Sequence, residues 1–246
     1  MKMRYTPNVI SYLTLRAGNT AETIFRQPTN GPELDIVNMY CEEHLASLGV
    51  NESLSIFLEP KLNTGFPDIV AVFWDKEVSN KWPEARANLT SSDMTIVHHV
   101  NLVGQIPVER LVKRFGTRKA SEMMLRLSDS QVAEVKSDEI LRKPLSNTFS
   151  VKRIVAIEAK VRDWSKGLEQ AFQNTLFASE SYLLLESIPN SQNLFKSAER
   201  LGVGILDKNR SVTQSYLKSK VGSLPTSHAA WLFNEWAWKF SNNLEA

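Results

Sequence analysis

The spacing of apolar residues along the chain predicts a regular exchange of helices and strands. After Pro32, apolar residues recur every three to four positions, which predicts a helix over residues 32–48. The run Ile69–Trp74 is apolar throughout, as expected for a strand that is buried on both faces. The same reasoning predicts four further strands, over residues 53–58, 151–161, 182–186 and 203–207, and two further helices, over 168–178 and 227–240.

The middle of the chain follows a different order of elements. Gly104 and Gly116 are typical helix ends, and Thr117 is a good N-cap for a third helix that directs Ala120, Met124 and Leu127 inwards. The predicted elements are helices over 96–103 and 108–115, a helix after Thr117, and strands over 132–136 and 139–143. This order predicts a winged helix-turn-helix domain.

The composition is that of an ordinary globular protein, with 42% hydrophobic and 23% charged residues. The single cysteine, Cys41, excludes an internal disulfide, and we expect it to be a buried packing residue. The first twenty residues lack the features of a signal peptide, and no apolar stretch approaches the roughly 20 residues that span a bilayer. We therefore expect a cytoplasmic protein with no membrane contact.

Two segments place charge within or beside strongly apolar strands, where burial is costly unless the charge is paired or binds a metal. Asp68 directly precedes the strand Ile69–Trp74, and Glu158 and Lys160 lie within the strand 151–161. Side chains alternate along a strand, so Glu158 and Lys160 share one face and Ala159 points to the other. If the two strands are neighbours, two carboxylates and an ammonium group converge.

Such a set is suited to phosphodiester hydrolysis. Asp68 and Glu158 would supply hard oxygen ligands for Mg²⁺ or Mn²⁺, which polarises a phosphate and activates water. Lys160 would orient that water or stabilise the developing charge. The alternative is a purely structural salt bridge between Glu158 and Lys160.

Further residues around these segments complete a recognisable motif. The chain has Pro-Asp at 67–68 and Glu-Ala-Lys at 158–160, continued by VRDW at 161–164 and LEQAF at 168–172. This combination resembles the PD-(D/E)XK, or restriction endonuclease-like, nuclease superfamily. The resemblance implies an α/β fold with a mixed central β-sheet flanked by helices. It also implies metal-dependent nuclease activity, with Gln170 close to the metal or the phosphate.

The resemblance also implies an acidic residue on the helix before the first core strand. Glu33, at the start of the helix 32–48, is the leading candidate, and Glu42 and Glu43 are alternatives. Glu33 is equally explained as favourable charge at a helix N-terminus. Glu59, at the end of the strand 53–58, is a further alternative.

One departure from the superfamily is the distance of 90 positions between Asp68 and Glu158, which members usually join by a short hairpin. The pattern of elements changes near residue 90, so an inserted domain accounts for the long distance between Asp68 and Glu158. We therefore predict a discontinuous nuclease domain over 1–89 and 148–246, with an inserted winged helix domain over 90–147. The resemblance itself covers about 31–76 and 150–207.

Positive charge is concentrated in the insertion. Residues 101–153 hold eleven Lys and Arg against six Asp and Glu, whereas the whole chain has a net charge of +2. In a winged helix the third helix enters the major groove and the wing contacts the backbone. The predicted DNA-binding residues are Lys113, Arg114, Arg118, Lys119, Arg126, Lys136, Arg142 and Lys143.

The sequence therefore predicts a DNA nuclease whose inserted domain positions its substrate. Three alternatives stay open: an RNA substrate, a catalytically idle nuclease fold that binds DNA, and a winged helix that binds a partner protein. A homodimer is a further alternative, since nucleases that cut both strands often pair. Trp231, Trp236 and Trp238 could stack on unpaired bases, but their amphipathic helix favours core packing or a dimer interface.

Overall fold

The computed structural model describes residues 10–13, 26, 29–45, 53–62, 65–225 and 227–242. Its strands are β1 (Ile10–Leu13), β2 (Ser53–Leu58), β3 (Ile69–Trp74), β4 (Gln105–Pro107), β5 (Ala133–Val135), β6 (Glu139–Arg142), β7 (Val151–Lys160), β8 (Glu180–Leu185) and β9 (Gly204–Asp207). Its α-helices are α1 (Pro32–Tyr40), α2 (Lys76–Ser79), α3 (Ser91–Val103), α4 (Val108–Phe115), α5 (Thr117–Asp129), α6 (Leu145–Thr148), α7 (Trp164–Asn174), α8 (Gln192–Leu201) and α9 (His228–Ser241). A π-helical turn, Cys41–Leu45, and two 3₁₀ turns, Glu84–Asn88 and Val212–Gln214, complete the set.

The chain forms two compact units. The described residues of Met1–Trp74 and Val151–Thr226 form the core unit, and those of Asp75–Ser150 and Ser227–Ala246 form the inserted unit. The predicted domains differ from these units at both ends of the insertion. The stretch 75–89, assigned to the nuclease domain by the sequence, contains α2 and a 3₁₀ turn and belongs to the inserted unit. The helix α9 also belongs to the inserted unit, because it packs on α3.

The core unit is built on a mixed six-stranded sheet in the order β1-β2-β3-β7-β8-β9. β3 runs antiparallel to both β2 and β7, whereas β7, β8 and β9 are parallel. β1 pairs with β2 in parallel. This arrangement confirms the mixed α/β class that the sequence predicts, and it places the strand after Asp68 beside the strand of Glu158.

Helices cover both faces of this sheet, because alternate residues of each strand face opposite layers. On one face, the buried residues of α1 pack on Ile69, Ala71, Ile157 and Ala159. On the other, the buried residues of α7 and α8 pack on Leu183, Leu185 and Ile205. Ala159 thus points into a packed layer, as its position between Glu158 and Lys160 predicts.

Two helix boundaries in the core unit differ from prediction. The helix expected over 32–48 ends at Tyr40 and continues as the π-helical turn, which buries Cys41, while Leu48 lies outside the described residues. α7 begins at Trp164 rather than 168, because Asp163 adopts a left-handed conformation and its carboxylate accepts the Lys166 amide. Such capping by Asp is favourable at an N-terminus.

The inserted unit contains the predicted succession of three helices and an antiparallel pair of strands. Its sheet has three strands in the order β4-β6-β5, of which β4 was not predicted. Gly116, with φ +81°, is the N-cap of α5 in place of Thr117, and Met123 is buried rather than Met124. The tryptophans of α9, Trp231, Trp236 and Trp238, are buried, which confirms the prediction of core packing.

Within the described residues, no helix has both the length and the apolar character that crossing a membrane requires.

Candidate active site

The pairing of β3 with β7 brings the two charged segments together. Ile69 lies opposite Ile157, so Asp68, one residue earlier, reaches the level of Glu158. The Asp68 carboxylate accepts the backbone amide of Ala159 at 2.8 Å. This hydrogen bond crosses between the two halves of the motif and holds the Asp68 side chain against the strand that carries Glu158 and Lys160.

Lys160 is the centre of the cluster. Its Nζ donates to Glu158 Oε1 at 3.0 Å and to the carbonyl oxygen of Ala159 at 2.9 Å. The same Nζ lies 3.9 Å from Asp68 Oδ2 and 3.8 Å from Glu33 Oε2. Glu158 and Lys160 thus form the salt bridge of the structural alternative, and two further carboxylates lie within 4 Å of the same ammonium group.

Glu33 is the acidic residue of α1 that joins this cluster. Its side chain is 51% exposed, whereas that of Glu158 is 2% exposed, so Glu33 lies at the open side of the site. Glu42 and Glu43, the two alternatives, are exposed on the π-helical turn, and Glu43 lies 4.0 Å from His44 Nε2. The geometry thus selects Glu33 among these three residues.

Burial and like charge perturb the acids of the cluster. Burial, together with the neighbouring Asp68, raises the pKa of Glu158 to about 8. Burial also raises the pKa of Asp68, although the Ala159 amide and Lys160 oppose the shift. Burial lowers the pKa of Lys160, but the attraction of Glu158 and Asp68 outweighs it and the net shift is upward. Burial is thus the main cause of both raised pKa values, and like charge within the cluster adds to the rise.

A glycine that sequence reasoning missed sets the position of Lys160. Gly167 lies on α7 where the helix crosses β7, and a Cβ atom there would lie 2.6 Å from Lys160 Cγ and 2.7 Å from Leu183 Cδ1. Both distances are shorter than atoms tolerate. The available signal was an isolated glycine inside a helical pattern, which often marks close packing.

Gln170 lies on the same helix, one turn after Gly167. Its Oε1 is buried and has no hydrogen-bond partner among the residues that the structure describes. A buried amide oxygen without a partner is costly. The predicted role of Gln170 beside the metal or the phosphate remains a prediction.

Glu59 borders the site and is strained. It adopts φ +50°, its amide donates to the Asp68 carbonyl at 3.1 Å, and its carbonyl accepts the Arg26 amide at 3.0 Å. Its carboxylate forms an ion pair with the Arg26 guanidinium. A pocket of about 210 Å³ opens here, and its lining consists of Arg26, Thr29, Glu33, Leu34, Val37, Leu58, Glu59 and Asp68. Sequence reasoning missed Arg26, because its segment has no readable periodicity.

In the described part of the chain, no three His, Cys, Asp or Glu side chains form a preorganised metal-binding group. Mg²⁺ needs no such group, since proteins commonly bind it through one or two carboxylates, with water and substrate phosphates as the other ligands. The oxygen donors of Asp68 and Glu158 suit that ion.

Most of the predicted DNA-binding residues are exposed in the inserted unit. Lys113 and Arg114 lie on α4, and Arg118 and Lys119 lie at the start of α5. The remaining basic residues of this set are on or beside the strands β5 and β6: Lys136, Arg142 and Lys143. Some of these charges are shared, since Arg118 pairs with Glu122 at 3.0 Å.

Arg126 differs from the other members of that set. Its guanidinium makes two hydrogen bonds, of 2.8 and 3.0 Å, to the carboxylate of Asp93, which is fully buried on α3. This pair joins α5 to α3, so the placement of Arg126 favours a structural role over the predicted contact with DNA.

Comparison of the chain with protein-family models, with curated proteins and with solved structures gave no significant match.

Proposed function

We propose that this chain is a magnesium- or manganese-dependent nuclease of the PD-(D/E)XK type, which hydrolyses DNA phosphodiester bonds. The proposal rests on the convergence of Glu33, Asp68 and Glu158 on the ammonium group of Lys160. This cluster lies where the central strands β3 and β7 begin and end, respectively. Glu158 and Lys160 are buried within this cluster, and burial of ionisable groups is expensive, so stability alone does not explain their placement.

The topology supports the restriction endonuclease-like part of the proposal. Asp68 precedes a strand that pairs antiparallel with β7, and α7 links β7 to its parallel neighbour β8. The three helices and antiparallel sheet of the inserted unit likewise support a winged helix, in which α5 would be the recognition helix.

Each residue of the cluster has a distinct task in this proposal. Asp68 and Glu158 would hold the divalent cation, which when bound polarises the phosphate and lowers the pKa of a water ligand. The hydrogen bonds from Lys160 Nζ to Glu158 and to the Ala159 carbonyl preorganise the ammonium group. From there it would stabilise the negative charge that develops on the phosphate. Glu33, on the exposed side, would orient the attacking water.

The test is cleavage of plasmid, single-stranded and branched DNA in Mg²⁺ or Mn²⁺, with an RNA substrate in parallel. We expect Asp68→Asn and Lys160→Met each to reduce the cleavage rate by at least about 100-fold, since one lost charge-stabilising group costs that much. Asp35→Asn and Lys166→Met are matched controls, because both residues are exposed on the same helices as site residues. Cleavage by Lys160→Met at the wild-type rate would contradict the proposal.

The DNA-binding role of the inserted unit has its own test. Each phosphate contact contributes about 0.9 to the slope of log affinity against log salt. The double variant Arg118→Ala/Lys119→Ala should therefore bind duplex DNA more weakly, with a slope smaller by about 2 at most. Lys76→Ala, an exposed lysine of α2, should leave the slope unchanged. An unchanged slope in the double variant would remove α5 from the interface.

A second candidate role for the inserted unit is protein binding. Leu102 on α3 and Leu125 on α5 are 68% and 63% exposed, and Val103 is also exposed, so both helices present large apolar side chains to solvent. If the substitution Leu125→Lys abolished capture of a partner protein but preserved DNA affinity, that result would favour this role.

A further inference from the structure

The pocket beside the acidic cluster contains a second cation. Arg26 lines it together with Glu33 and Asp68, and the lining also includes the apolar side chains of Leu34, Val37 and Leu58. Its volume of about 210 Å³ is below the roughly 300 Å³ of sites that enclose a whole drug-sized ligand. The pocket therefore suits one part of a larger molecule, with a charged side and an apolar side.

Arg26 is held in place but keeps hydrogen-bonding capacity. Its Nε and Nη2 pair with the Glu59 carboxylate, and its guanidinium carbon lies 5.3 Å from the centre of the Phe66 ring. Its side chain is 50% exposed. A guanidinium group has five N–H donors, so this pairing leaves the Nη1 donors available to an anion.

Lys160 does not have this freedom. Its side chain is 11% exposed, and its ammonium group already donates to Glu158 and to the Ala159 carbonyl. Arg26 is thus the more accessible of these two cations at the cluster. Arg26 and Asp68 line the same pocket, and the Arg26 charge opposes the rise that burial causes in the pKa of Asp68.

We propose that Arg26 binds a phosphate oxygen of the nucleotide next to the cleaved phosphodiester, with the sugar of that nucleotide against the apolar side of the pocket. This inference rests on the proposed nuclease function. Arginine suits the task because its planar fork matches the geometry of phosphate. A phosphate bound at Arg26 would be adjacent to the carboxylates that otherwise repel a polyanionic substrate.

Glu59 is the positioning residue of this arrangement. Its backbone bonds to both Asp68 and Arg26, and its carboxylate fixes the guanidinium. The left-handed conformation of Glu59 is unfavourable for a residue with a side chain, so these contacts must maintain it. We expect Glu59→Gln to keep the backbone hydrogen bonds but to remove the ion pair that holds the Arg26 guanidinium.

The test measures binding of thymidine 5′-monophosphate, thymidine and inorganic phosphate by calorimetry in Mg²⁺. Thymidine 5′-monophosphate should bind at least tenfold more tightly than thymidine. Arg26→Ala should weaken nucleotide binding at least tenfold without changing thymidine binding, and Arg26→Lys and Glu59→Gln should give intermediate losses. Arg200→Ala, an exposed arginine of α8, is the matched control. Circular dichroism of each variant checks folding.

Cleavage kinetics separate this inference from the nuclease proposal. If the wild type cleaves DNA, Arg26→Ala should raise KM about tenfold with a smaller change in kcat. If the wild type does not cleave, Arg26-dependent nucleotide binding would still support the pocket assignment. Undetectable nucleotide binding, equal binding by Arg26→Ala and wild type, or equal affinities for nucleotide and thymidine would each overturn the inference, whatever the outcome of the cleavage assay.

Discussion

At the scale of single residues, the sequence identifies most of the acidic cluster but not which glutamate of the first helical segment joins it. Asp68, Glu158 and Lys160 are identified by charges set against apolar strands, and their convergence follows once β3 and β7 are neighbours. The sequence does not distinguish Glu33 from Glu42 and Glu43. The distinction depends on whether the start of α1 or the π-helical turn after it lies beside Lys160. Arg26 has no apolar pattern around it and so has no signal in the sequence.

The raised pKa of Glu158 predicts a pH-dependent stability of the metal-free protein. The folded pKa of about 8 lies above the ordinary value of 4.5. The favourable contribution is therefore complete below about pH 4.5 and is lost as the pH rises through 8. The free energy of unfolding should fall over this window by at most about 1.4 kcal/mol per pH unit from this group.

Urea unfolding in EDTA from pH 4.5 to 8.5 measures this slope. Glu158→Gln should flatten it, because glutamine does not ionise, and Asp163→Asn, at an exposed cap, should leave it unchanged. A slope that is the same in Glu158→Gln and wild type would contradict the assignment.

The close approach of Gly167 to Lys160 predicts an effect on activity that exceeds the effect on stability. Gly167→Ala gains up to about 1 kcal/mol of helix propensity, which offsets part of an overpacking cost of about 1–3 kcal/mol. The added methyl group must displace Lys160 Cγ, so nuclease activity should fall at least about tenfold. Thermal unfolding and cleavage rates measure both effects, and Ser165→Ala on the same helix is the control. Loss of stability with normal activity would count against this view.

At the scale of elements, continuous apolar strands were the easiest to predict. The strands Ser53–Leu58 and Ile69–Trp74 have the predicted bounds, and so does the helix Val108–Phe115. α8 was not predicted, because only Leu194 and Ala198 on it are buried and two residues make a weak periodic pattern. The short strand β4 was hidden for a related reason, since it has one buried residue in three.

The ion pair between α3 and α5 predicts a loss of stability when Arg126 is removed. Arg126→Ala leaves the fully buried Asp93 carboxylate without its cation, a change that costs about 3–5 kcal/mol. We expect the lower end of this range, because the Thr90 amide and hydroxyl still donate to Asp93. Chemical denaturation measures the loss.

DNA affinity measured well below the unfolding transition provides the contrast for Arg126. Its salt slope should match that of the wild type, unlike the slope of Arg118→Ala/Lys119→Ala. A reduced slope in a folded Arg126→Ala variant would restore Arg126 to the DNA-binding set.

At the scale of the whole molecule, the inserted unit depends on two distant chain segments. Arg86, in the 3₁₀ turn before α3, is fully buried and pairs through Nε with Glu235 of α9 at 2.7 Å. The guanidinium carbon also lies 3.5 Å from the centre of the Trp82 ring. Nothing in the local pattern of either segment indicates this pair, which is why the sequence places the C-terminal helix in the wrong unit.

We expect Arg86→Met to lower the free energy of unfolding by about 3–5 kcal/mol, because it leaves the buried Glu235 carboxylate without its cation. Hydrogen exchange should show lost protection in α3 and α9 but retained protection in β7. The double variant Arg86→Met/Glu235→Met should recover part of the loss, since an apolar pair of similar volume is often tolerated. Equal loss of protection in β7 would show that the two units unfold together.

This division of the inserted unit has a consequence for the order in which the protein is made. The segment Asp75–Ser150 is synthesised before β7, and α9 is synthesised after every strand of the core sheet. Chains emerge from the ribosome N-terminus first, at about 5–20 residues per second. The residues of the acidic cluster are therefore present on the nascent chain before Glu235, the partner of Arg86, has been synthesised. The interval is several seconds, and only after it does the Glu235 carboxylate complete the buried ion pair of the inserted unit.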